Sequence, residues 1–95
     1  MTTSQGTLQE TTTPLTGAEV LARAKQFFSS RPSLYAAFLD KESSGFCSFR
    51  GQGGEEIIIG VADAPGGGTR VTGSSYLFDM QVSRFLTTLP PAGTA

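Results

Sequence analysis

Residues 55–62 read Glu-Glu-Ile-Ile-Ile-Gly-Val-Ala, and this run decides the fold. Ile57, Ile58, Ile59 and Val61 are β-branched, which favours an extended strand. Successive side chains of a strand point to opposite faces of its sheet, so this strand carries apolar residues on both faces. A strand of that kind belongs in the middle of a sheet, where both of its faces are covered.

Glycine-rich connections flank this central strand. Residues 51–54 read Gly-Gln-Gly-Gly and residues 63–68 read Asp-Ala-Pro-Gly-Gly-Gly, so both runs supply the positive backbone φ angles that tight turns require. Residues 46–50 (Phe-Cys-Ser-Phe-Arg) are predicted as the preceding strand, and residues 69–78 as a long strand that follows. The order predicts an antiparallel meander.

The segment 33–41 (Ser-Leu-Tyr-Ala-Ala-Phe-Leu-Asp-Lys) fits two structures. Its apolar residues have the spacing of a short helix, and they also fit a strand whose two faces are both partly covered. The following Glu-Ser-Ser-Gly at 42–45 is typical of a hairpin connection, which favours the strand. The sheet is therefore predicted to have three or four strands.

A helix is predicted before the sheet, over residues 17–29. Thr16-Gly-Ala-Glu19 is a capping box, in which each of the two outer side chains accepts a hydrogen bond from the other residue's backbone amide. Pro32 disfavours helical geometry in the residue before it, so the helix must stop near Ser30. The residues at helical spacing are Val20, Leu21, Ala24, Phe27 and Phe28.

A second helix is predicted after the sheet. Asp79 is expected to cap its start, and Pro90-Pro91 ends it. The apolar stripe consists of Val82, Phe85, Leu86 and Leu89. Each helix has one apolar stripe, so both should lie on the same face of the sheet. The predicted fold is a two-layer α+β sandwich: an N-terminal helix, a three- to four-stranded antiparallel meander and a C-terminal helix.

The predicted folded unit is a single domain over residues 15–90. Residues 1–14 are rich in Thr, Ser, Gln and Gly, with Leu8 as the one large apolar residue after Met1. Such a segment cannot bury enough apolar surface to offset the entropy of ordering it, so we expect a disordered tail. An arm that binds a partner around Leu8 is the alternative. Residues 91–95 are expected to form a loose C-terminal tail.

The composition excludes most catalytic and metal chemistry. The chain has no histidine and one cysteine, Cys47, which removes imidazole-activated nucleophiles, His-ligated metals, thiolate clusters and an intramolecular disulfide. Glu55 and Glu56 are adjacent on a strand and so point to opposite faces, which prevents them from flanking one substrate bond. Each glycine run joins two strands rather than a strand and a helix, as a phosphate loop would. We predict no enzyme activity, no cofactor and no metal.

Charge and hydropathy limit the partners. Seven basic and eight acidic residues nearly cancel, so the chain lacks the clustered positive charge that nucleic acids and anionic membranes attract. No apolar run approaches the roughly 20 residues of a membrane span. The first residues lack the pattern of a signal peptide, and a lone thiol fits a reducing compartment, so the cytoplasm is the expected location.

The run Gly68-Thr-Arg-Val-Thr-Gly-Ser-Ser-Tyr-Leu-Phe-Asp79, followed by a helix, resembles the last strand and helix of helix-grip proteins, the START-like and polyketide-cyclase-like group. The likeness covers about a third of the chain. It implies an apolar cavity closed by the C-terminal helix, with a lipid or polyketide as ligand. Helix-grip proteins use more strands and a longer chain to enclose that cavity.

The far side of the sheet leads to a prediction about function. Two helices on one face leave the other face bare, while the central strand is apolar on both. Large exposed apolar patches are rare on stable monomers. The chain is therefore expected to be a non-enzymatic interaction module that forms a homodimer through this face, or alternatively a small apolar-ligand carrier. The candidate interface or ligand-lining residues are Phe46, Phe49, Ile58, Tyr76 and Phe78.

Overall fold

The computed structural model describes residues 8–29, 37–51, 53–76 and 79–90, with the backbone alone for Tyr76 and Asp79. The elements follow in the order β1 (Leu8–Thr13), α1 (Gly17–Ser29), β2 (Ala37–Glu42), β3 (Phe46–Gly51), β4 (Glu56–Asp63), β5 (Thr69–Tyr76) and α2 (Asp79–Thr87). The predictions for residues 1–7, for the helix end near Ser30, for residues 33–36, for Phe78 and for the tail 91–95 lie outside the described residues.

The five strands form one antiparallel sheet in the order β1-β5-β4-β3-β2. Helix α1 contacts β2, β3 and β4, and helix α2 contacts β5 and β1. Apolar residues of both helices join one core cluster with the same face of the sheet, so the molecule has two layers. The predicted α+β sandwich is confirmed, with β4 at the centre of the sheet.

The core beneath the helices is built around aromatic rings. Phe28 lies between Phe49 of β3 and Phe85 of α2, with ring centroids 5.2 and 5.4 Å away. Phe27 contacts the rings of both Phe28 and Phe85. Phe28, Phe49 and Phe85 have at most 1% of their surface exposed, so these rings fill the space between the helices and the sheet.

Helix α1 begins at Gly17, as predicted, and its described part extends to Ser29. The backbone N–H of Thr16 donates to Oε1 of Glu19 at 2.9 Å, and the N–H of Glu19 donates to Oγ1 of Thr16 at 3.1 Å. These two hydrogen bonds satisfy amides that have no partner within the helix. Helix α2 spans Asp79–Thr87, and a turn at Thr88 and Leu89 precedes Pro90.

The prediction of a disordered tail over residues 1–14 is wrong for residues 8–13. These residues form β1, which pairs with β5 from Leu8 opposite Ser74 to Thr13 opposite Thr69. An edge strand gains its backbone hydrogen bonds from one neighbour, and the β-branched threonines favour extended geometry. Thr13 is fully buried. The sheet therefore has five strands instead of three or four.

The remaining connections follow the predicted pattern. Residues 37–42 form the strand β2, with a bulge between Leu39 and Lys41 where it pairs with β3. The loop between β4 and β5 contains Gly66, Gly67 and Gly68 with φ angles of 83°, 109° and 83°, a geometry that side-chain-bearing residues rarely adopt. Both glycine runs thus join antiparallel strands.

Candidate functional site

One face of the sheet carries no helix among the described residues, and we call it the open face. Alternation along the strands assigns its side chains: Ile57 and Ile59 are fully buried under the helices, whereas Ile58 between them is 39% exposed. On β3, Cys47 and Phe49 point into the core, so Phe46 and Arg50 point to the open face with Ser48.

The centre of the open face is a square of two large and two small residues, Phe46, Ser48, Ile58 and Gly60, which we call the quartet. Ser48 lies opposite Ile58 and Phe46 lies opposite Gly60 across the β3–β4 pair, so large and small residues alternate around the square. Phe46 is 37% exposed and Ile58 is 39% exposed, while Ser48 is 4% exposed. The quartet therefore has two protruding side chains beside two shallow positions.

Further apolar side chains surround the quartet on the two edge strands. Leu8 of β1 is 67% exposed and lies opposite Ser74 of β5, which in turn lies opposite Ile58. Phe38 of β2 is 54% exposed and lies opposite Arg50. The open face is accordingly a mixed surface, with apolar side chains separated by serine, threonine and glycine.

Charged side chains lie around the quartet. Nε of Arg50 is 3.7 Å from Oδ2 of Asp40 on the β2 side, and Nη1 of Arg70 is 3.6 Å from Oε2 of Glu10 on the β1 side. Glu56 lies directly opposite Arg50 across β3 and β4, but it takes part in none of the ion pairs formed by the described residues. Arg50 and Glu56 therefore border the same end of the quartet.

The structure brings two of the five predicted site residues together. Phe46 and Ile58 both lie on the open face, in the quartet. Phe49 is 1% exposed and lies against Phe28 under helix α1, so it is a core residue and cannot contact a partner on the open face. Tyr76 ends β5 opposite Glu56, and the structure describes only its backbone. Phe78 lies outside the described residues.

Cys47 is placed as a structural residue. Its side chain is fully buried, and that burial raises the pKa of the Cys47 thiol from 9.0 to about 11. Lys25 lowers the pKa and Glu42 raises it, each by less than burial does. A thiol with so high a pKa is almost entirely protonated near neutral pH, so it is a poor nucleophile and metal ligand.

The acidic residues of the described part of the chain include one that supports a turn, and they form no metal-binding group. Oε1 of Glu55 accepts a hydrogen bond from the backbone N–H of Gly53 at 2.9 Å, so this carboxylate supports the turn between β3 and β4. Among the described residues no group of three or more His, Cys, Asp and Glu side chains is placed to hold a metal ion.

Two depressions lined by described residues are open to solvent. One of about 400 Å³ lies between β1 and α2, and one of about 470 Å³ lies between the two helices beside Arg23 and Phe27. The space where a helix-grip cavity would lie, between the sheet and the helices, is filled by the aromatic rings of the core. The open face is therefore the better candidate for a binding surface.

Comparison of the chain with protein-family models, with curated proteins and with solved structures finds no match. The helices of the described residues are too short and too polar for any of them to cross a membrane.

Proposed function

We propose that the protein is a non-enzymatic interaction module that forms a homodimer through the open face of its sheet. The observation that carries this proposal is the exposed apolar set on that face: Leu8, Phe38, Phe46 and Ile58. Covering these side chains removes apolar surface from water, which is the main source of free energy in protein association. A second copy of the chain is the occupant because the face is self-complementary in charge, with acidic and basic residues on both sides.

The size of the face places the proposed dimer among small, reversible protein interfaces. Five strands about 4.8 Å apart, with about six residues of about 3.3 Å each, give a face of about 480 Å². Two such faces bury about 1,000 Å² in total, at the low end of specific protein interfaces. We therefore expect a reversible dimer with a dissociation constant on the order of 10 µM, which corresponds to about −7 kcal/mol.

Light scattering on the variant Ile58→Glu tests the proposal. Ile58 is partly exposed in the monomer, so the substitution leaves the core intact and places a charge at the centre of the interface. The wild-type mass should rise from 9.9 kDa toward twice that value as the concentration passes through the micromolar range. Ile58→Glu should weaken the dimer by about tenfold or more.

The matched control is Met80→Glu, which adds the same charge at another exposed apolar residue. Met80 is 71% exposed and lies in the first turn of α2, where a carboxylate suits the helix dipole. This variant should dimerise like the wild type. A wild-type chain that stays monomeric at high micromolar concentration, or equal loss of dimer in both variants, contradicts the proposal.

A further inference from the structure

We infer that the two copies meet about a two-fold axis that runs parallel to β3 and β4 and passes between them, so that each β3 lies over the β4 of the other copy. This inference rests on the proposed dimer and specifies its register. Two observations carry it: the alternation of large and small residues in the quartet, and the positions of Arg50 and Glu56 beside it.

The quartet is self-complementary about such an axis. The rotation places β3 of one copy over β4 of the other and does not change a residue's position along the strand direction. Residues that are cross-strand partners within one copy therefore face each other between the copies, so that Ile58 of one copy faces Ser48 of the other and Phe46 faces Gly60. Each protruding side chain meets a shallow position, and each contact occurs twice because a two-fold interface uses the same patch on both copies. Interdigitation of this kind is how the inner faces of two packed sheets fill the space between them.

Charge distinguishes this axis from the other two-fold axis that the quartet permits. The same rotation places Glu56 of one copy over Arg50 of the other, and it does so twice, because these residues occupy the same level of β4 and β3. An axis perpendicular to the strands also pairs large with small residues, but it places Glu56 over Ala62. Glu56, which has no ion-pair partner within the described chain, gains one only about the parallel axis.

Mixing two charge-reversal variants tests the register. In a dimer of Arg50→Glu, each contact between residue 50 of one copy and residue 56 of the other joins two acidic side chains. In a dimer of Glu56→Arg, each of these contacts joins two basic side chains. Each variant alone should therefore dimerise about tenfold or more weakly than the wild type, since two attractive pairs become repulsive. An equimolar mixture should recover the wild-type dimer, because acidic and basic copies then face each other. Sedimentation velocity at fixed total concentration measures all three samples, and circular dichroism checks that each variant is folded.

A second pair of variants tests the shape of the quartet without changing charge. Gly60→Val fills the shallow position that Phe46 of the other copy should enter. Its Cβ would lie 2.9 Å from Oγ1 of Thr72 and 3.9 Å from the backbone oxygen of Gly45, so the Thr72 side chain must turn about its χ1 bond to make room. The variant should fold and dimerise about tenfold or more weakly, because the added side chain crowds the position that Phe46 of the other copy should fill. Ala62→Val, on the same strand and face but outside the quartet, should dimerise like the wild type.

The outcomes separate the register from the dimer itself. Recovery in the mixture together with weakening by Gly60→Val supports the register. The register is overturned if the wild type dimerises and both charge variants dimerise as strongly as it does. It is also overturned if mixing the two variants does not restore dimerisation. In either case the proposed self-association still stands. A wild-type chain that stays monomeric at high micromolar concentration overturns both.

Discussion

Cys47 lies between two open-face residues, Phe46 and Ser48, and its own side chain is buried in the core. Removing the thiolate from water raises its pKa from 9.0 to about 11. Below pH 9 the thiol is protonated in both the folded and the unfolded chain. Between pH 9 and about 11 the unfolded chain loses the proton while the folded chain keeps it, so the free energy of unfolding falls as the pH rises through this window.

Comparison of the wild type with Cys47→Ala should reveal this pH dependence. The free energy of unfolding of the wild type should fall more steeply between pH 9 and 11, with the difference approaching about 1 kcal/mol per pH unit. Urea denaturation at several pH values measures it, and the variant corrects for other groups that titrate in the same range. Parallel curves for the two proteins would contradict the burial of the thiol.

At the residue scale, the sequence predicts that successive side chains of each strand point to opposite faces of the sheet. It does not predict which of the two faces the helices cover. Ile57, Ile58 and Ile59 are equally apolar, so the sequence does not indicate which of them the helices cover. Phe46 and Phe49 are three residues apart, and a strand must place them on opposite faces. That signal was present in the sequence and separates an open-face residue from a core residue.

At the scale of elements, α2 packs directly against β5 at a position without a side chain. A Cβ added to Gly73 would lie 2.6 Å from Cγ1 of Val82, a fully buried residue of α2. The close approach of helix and strand therefore depends on glycine at this position, because any larger residue forces the two elements apart.

Gly73→Ala should lower the free energy of unfolding by about 1–3 kcal/mol. Gly45→Ala is the matched control, because a Cβ there has no heavy atom within 4 Å, and its effect should stay within about 0.5 kcal/mol. Urea denaturation of both variants gives the comparison. A Gly73→Ala protein as stable as the wild type would mean that α2 does not pack on β5 as described.

The helices and the three central strands were predictable because each carries a local pattern, such as the capping box at Thr16 or the glycine turns. Strand β1 has no such pattern. Its side chains are mostly polar, and its stability comes from backbone pairing with β5, more than 50 residues further along the chain. The low hydrophobicity of residues 1–14 therefore led to the prediction of a disordered tail, although the run of threonines at 11–13 favours a strand.

At the scale of the whole molecule, the sequence predicted an uncovered sheet face but not its detail. The alternation of large and small residues in the quartet depends on the register between β3 and β4, which pairs Phe46 with Gly60 and Ser48 with Ile58. Register is set by turn geometry and by which face is buried, and neither is fixed by the residue order alone. Phe38 was missed because its segment had no secure assignment as strand or helix, and Leu8 was considered only as part of a partner-binding arm.

The most direct test of self-association through the open face is a dilution series of ¹H–¹⁵N correlation spectra of the wild-type protein. Amide signals of Phe46, Ser48, Ile58 and Gly60 should shift progressively as the concentration rises through the micromolar range, while those of the exposed side of α1 stay constant. Spectra that do not change with concentration, or shifts confined to the helices, would contradict the account.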